Sequence, residues 1–82
     1  MILMEKLKKH SEKLMLLGNN IAFYRRRNKL SQDQLAEKIG ISRTHMSNIE
    51  APNVAHSFSI NVLFDIADAL EVEPIKFFDF SK

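Results

Sequence analysis

The chain has no cysteine and no tryptophan, and only two glycines, two prolines and one tyrosine among its 82 residues. Without cysteine there can be no disulfide, no thiolate metal site and no thiol nucleophile. The three histidines, His10, His45 and His56, are scattered and do not form a metal-binding set. No apolar run approaches the roughly 20 residues that a bilayer span needs. The start, Met1-Ile-Leu-Met-Glu-Lys-Leu-Lys-Lys, is broken by charge at residue 5, unlike a secretory leader, so the expected location is cytoplasmic. There is no Gly-rich phosphate loop, nucleophile elbow or metal-ligand spacing, and the chain does not read as an enzyme. No cofactor is expected.

The composition, 45% hydrophobic and 27% charged, fits one small globular domain. A domain of this length buries only about 60% of its extended-chain surface, so association with a second copy would help it. The net charge of +2 hides an uneven distribution. Residues 1–48 carry ten Lys/Arg against four acids, a net +6, whereas residues 49–82 carry two against six, a net −4. A basic half joined to an acidic half points to a polyanion on one face only.

The apolar spacing is helical rather than alternating, which predicts an all-α fold. Leu14, Leu17, Ile21 and Tyr24 predict a first helix over about 14–28, with residues 1–13, including the basic stretch Lys6–Lys13, as a helical extension ahead of a domain at 14–82. Ser31, with Gln34 three residues on, predicts a capping box, and Gly40 a left-handed stop after a short second helix. Ser42 caps a third helix that Pro52 ends by Ala51. After a loop at 52–58, Ser59 caps a fourth helix with Ile60, Leu63, Ala67 and Leu70 as its buried stripe. Pro74 opens a last short helix, to about Phe80.

Two short helices joined only by Gly40-Ile41-Ser42 must cross steeply, so only small side chains fit where they touch. Counted from Gln32 as the first position of a twenty-residue window, Leu35, Ala36, Ile39, Gly40, Ile41, Met46 and Ile49 fall at positions four, five, eight, nine, ten, fifteen and eighteen. With LSQDQLAEKIGISRTHMSNIE as its core, preceded by IAFYRRRNK and followed by VLFDIADALEVEPIKFF, the chain resembles the phage-repressor (Cro/CI, XRE-like) helix-turn-helix family over Leu17 to Phe78. It departs at Met46, where a β-branched residue is usual, and at Ala51–His56, which lack the Lys and Arg on which a phosphate clamp would rest.

The resemblance implies a compact five-helix, lambda-repressor-like domain that binds double-stranded DNA through the helix at about 43–51. It implies base contacts for Arg43, Thr44, Ser47 and Asn48, whose side chains share or flank the outward helix face. Phosphate contacts are implied for Gln32 and Ser31, with Ser42, His45, Arg26 and Arg27 in support. Arg25 and Glu50 match a structural ion pair. Phe77, Phe78 and Phe80 cannot all turn inward on one short helix, and they are the expected homodimer interface. The leading expectation is a sequence-specific transcriptional regulator, a repressor or autoregulator, on a pseudo-palindromic operator. The alternative is an antitoxin that uses the same fold for autoregulation and for binding a toxin.

Overall fold

The computed structural model describes residues 10–51 and 57–81. Among them are four α-helices, α1 (Ser11–Arg27), α2 (Gln32–Ile39), α3 (Arg43–Glu50) and α4 (Ile60–Leu70), followed by a 3-10 helix, Pro74–Phe78, and no strand. The expected upstream extension through Leu3 and Leu7, and most of the loop expected at 52–58, lie outside the described residues. None of the described helices is long and apolar enough to cross a membrane.

The local signals for helix ends act as side-chain chemistry. Ser31 Oγ accepts from the Gln34 N–H at 3.0 Å while Gln34 Oε1 accepts from the Ser31 N–H at 2.7 Å, a reciprocal box that opens α2. Ser42 and Ser59 each accept from the N–H three residues on, at 3.0 and 3.1 Å, and open α3 and α4. Gly40 closes α2 at φ 77°, and the next N–H, that of Ile41, reaches back to the Ala36 carbonyl at 3.0 Å. The same reach-back ends α1 and α4, through Lys29 at φ 60° and Glu71 at φ 56°, positions where the left-handed backbone is costly for a side chain.

One core joins all five elements. Ile21, Leu35, Met46, Ile66, Leu70 and Phe77 are fully buried, and Ala36 beside them lets α2 and α3 close on each other. Met46 therefore fills the seam as an unbranched side chain can. The first helix runs Ser11–Arg27, so it takes in the last three residues of the expected extension and stops one residue short of the expected 28.

Two other expectations are corrected. Ile60, expected in the buried stripe of α4, is 58% exposed; the stripe is Leu63, Ile66, Ala67 and Leu70, and Ile60 sits a turn beyond the edge of the core. The last helix is 3-10 rather than α and stops at Phe78. Asn20 of α1 fastens this end: its Nδ2 donates to the Phe77 carbonyl at 2.8 Å and to the Asp79 carbonyl at 3.0 Å. Five residues alone do not offset the cost of helix nucleation, so this element depends on its contacts with the rest of the fold.

Candidate nucleic-acid interface

The outward face of α3 is set by what lies beneath it. Arg25, 8% exposed, rises from α1 to Glu50, 5% exposed, at the end of α3. Its Nε donates to Glu50 Oε2 at 2.7 Å and its Nη2 to Oε1 at 2.9 Å, a two-pronged pairing of guanidinium and carboxylate. The third nitrogen, Nη1, donates to the Leu30 carbonyl at 2.7 Å, in the link before α2. Both charges are thus paired on nearly every available edge, the condition under which a buried ion pair is tolerated.

Close packing holds the same junction from the other side. A Cβ built on Gly18 of α1 would collide with the backbone carbonyl oxygen of Ile49 in α3. Only glycine lets the two backbones approach so closely. The role of Gly18 was missed in the sequence, although a lone glycine inside a helical pattern is a recognised sign of close backbone approach.

With α3 anchored by Met46, Ile49 and Glu50, its other side faces solvent. Arg43, Thr44 and Ser47 are exposed and Asn48 is half-buried; together these four line one shallow concavity on the outer surface. Each can offer hydrogen bonds to a base edge, and Thr44 adds a methyl group. His45 is half-buried at the flank. Among the described residues no group of three His, Asp or Glu could hold a metal ion.

The structure distributes the residues expected at phosphate unevenly. Ser31 and Ser42 are exposed at the N-termini of α2 and α3, with their hydroxyls already accepting capping N–H bonds. Gln32, half-buried, donates from Nε2 to Glu50 Oε1 at 3.0 Å, which ties the start of α2 to the ion pair. Arg26 and Arg27 are exposed on the last turn of α1, but Arg27 lines a different depression with Tyr24, Asn28, Leu70 and Glu71. An acid also enters the site: Asp33 Oδ1 lies 3.5 Å from Arg43 Nε. No sequence pattern singled out Asp33.

The phenylalanines divide. Phe77, expected at a dimer interface, is fully buried and packs edge-on against Tyr24, with centroids 5.8 Å apart, so it belongs to the core. Phe78 is 47% exposed and lies 6.4 Å, centroid to centroid, from the half-buried Phe80. Leu14, Phe58, Ile60 and Phe78 line an apolar groove whose floor includes Leu17 and Leu63.

A family model described as a helix-turn-helix domain matches residues 18–79, and no curated protein matches the chain. The match takes in the Gly18 contact, the Arg25–Glu50 pair, the tight turn at Gly40 and the 3-10 helix. The chain belongs to this helix-turn-helix family, a DNA-binding fold.

Proposed function

We propose that the protein is a sequence-specific regulator of transcription, of the XRE-like, Cro/CI type, which lays α3 in the major groove of double-stranded DNA. Four polar side chains, Arg43, Thr44, Ser47 and Asn48, brought onto one open concavity of an otherwise anchored helix carry this reading. Arg43 supplies the fork for guanine O6 and N7, Asn48 the amide for adenine N6 and N7, and Thr44 and Ser47 hydroxyls. Gln32 has one amide N–H on Glu50, leaving the other for a phosphate at the N-terminus of α2. Ser31, Ser42, His45, Arg26 and Arg27 take supporting phosphate roles.

The regulator acts as a homodimer. Phe78, Phe80, Ile60 and Leu14 form the apolar surface that a second copy would cover in a two-fold arrangement. Half-sites about one helical turn apart then follow from the symmetry, and repression or autoregulation by occupancy is the simplest outcome. Enrichment of duplexes from a random pool tests the reading. A pseudo-palindrome is the expected product. A protein that stays monomeric at high concentration and enriches nothing would overturn the reading, whereas enrichment combined with capture of a toxin on the apolar surface would favour the antitoxin reading.

A further inference from the structure

We propose that Asp33 is a positioning residue for Arg43, holding its guanidinium by the Nε edge so that the paired Nη groups face the DNA bases. This inference rests on the reading of α3 as the base-contacting helix. Asp33 stands in the first turn of α2 and Arg43 in the first turn of α3, and the turn at Gly40 brings the two helix starts together. Carboxylate and guanidinium meet at 3.5 Å although their side chains are 66% and 68% exposed, so burial does not force the contact.

Arginine carries five N–H donors in one rigid plane. A carboxylate on the Nε side leaves the two Nη groups, and a guanine edge offers two acceptors, O6 and N7, for such a fork. Unheld, a long exposed arginine samples many rotamers and reaches phosphate oxygens as readily as bases. Asp33 acts against that second use, because moving Arg43 to a phosphate brings a full negative charge toward the carboxylate. A guanine edge carries only partial charges and meets less repulsion. Asp33 thereby weakens non-specific binding more than specific binding, a repulsive element that serves specificity. An aspartate in the first turn of a helix also favours the helix dipole, and that purely structural role must be separated from this one.

The test compares Asp33→Asn with the wild type, each alone and combined with Arg43→Ala. The probes are a duplex enriched by the wild-type protein from a random pool and a shuffled duplex of the same composition. Asp33→Asn should bind shuffled DNA about 2- to 5-fold more tightly, the range of an exposed ion pair, with no comparable gain on the enriched duplex. Preference at one base position per half-site should relax. In the Arg43→Ala background the same substitution should shift both duplexes alike and leave their ratio unchanged. If Asp33→Asn alone leaves the ratio and the base preference intact, or lowers the ratio equally without Arg43, the role of Asp33 is overturned while the base-reading role of α3 stands. If Arg43→Ala weakens both duplexes equally, or the pool yields no enriched sequence, the reading of α3 falls and this inference with it.

Discussion

α3 and the terminal 3-10 helix are both too short to persist alone, at eight and five residues, and α1 holds both in place. Arg25 reaches from α1 to the end of α3, and Asn20, five residues earlier, takes two carbonyls around the end of the 3-10 helix. Each short element also sends an apolar anchor into the common core, Met46 from α3 and Phe77 from the 3-10 helix. The outward faces differ. α3 presents Arg43, Thr44, Ser47 and Asn48, whereas the 3-10 helix presents two large apolar side chains, Ile75, 73% exposed, and Phe78, beside a single charge, Lys76. Similar anchoring thus supports one polar and one apolar surface, and the chemistry of each suits a different partner. The polar face lies in the half of the chain with net charge +6 and the apolar one in the half at −4.

The largest break in the comparison should come from Arg25→Ala. It leaves the Glu50 carboxylate buried with only Gln32 as a remaining partner in this network, and should cost about 3–5 kcal/mol. Urea unfolding would measure the loss; an unchanged midpoint would mean that the pair does not hold α3. Gly18→Ala should come next, at about 1–3 kcal/mol, because the new methyl group must push Ile49 and the end of α3 outward. DNA affinity should fall with it, since α3 is displaced.

Asn20→Ala strikes the other short element. Losing two side-chain hydrogen bonds to backbone should cost about 1–2 kcal/mol, and amide exchange should speed up in residues 75–80 more than in α3. Equal acceleration in both elements would show that they are not held separately. Smaller still in stability is Phe78→Ser, a change at a half-exposed side chain expected to stay within about 0.5 kcal/mol. Sedimentation should nevertheless show a weaker dimer. Unaltered association would place the interface elsewhere.

What could be read in the sequence follows from how local each interaction is. The Ser31–Gln34 box, the Ser42 and Ser59 caps and the Gly40 stop lie within three or four residues, so their signature is contiguous. The ends at Lys29 and Glu71 use the same left-handed turn without glycine and gave no such signal. The Arg25–Glu50 pair was implied by family resemblance, and no spacing rule joins residues 25 apart. The Asn20 clamp spans 57 residues to Phe77, and a helical asparagine carries no mark of it. Periodicity placed Ile60 inward because it counts positions and cannot see where the core ends. The four polar residues of α3 were legible as a face, since helical geometry alone puts them together once Met46 and Ile49 turn inward.

The division of α3 into an anchored side and a reading side is tested most directly by Arg43→Ala in competition binding. Both DNAs, the enriched duplex and its shuffled counterpart, should be measured at the same salt concentration. The unfolding midpoint should match the wild type, because the Arg43 side chain is 68% exposed. Binding to the enriched duplex should weaken by about 1–3 kcal/mol, with preference relaxed at one position per half-site and a much smaller change on shuffled DNA. Equal losses on both would make Arg43 a backbone contact and contradict the assignment of base reading to this face.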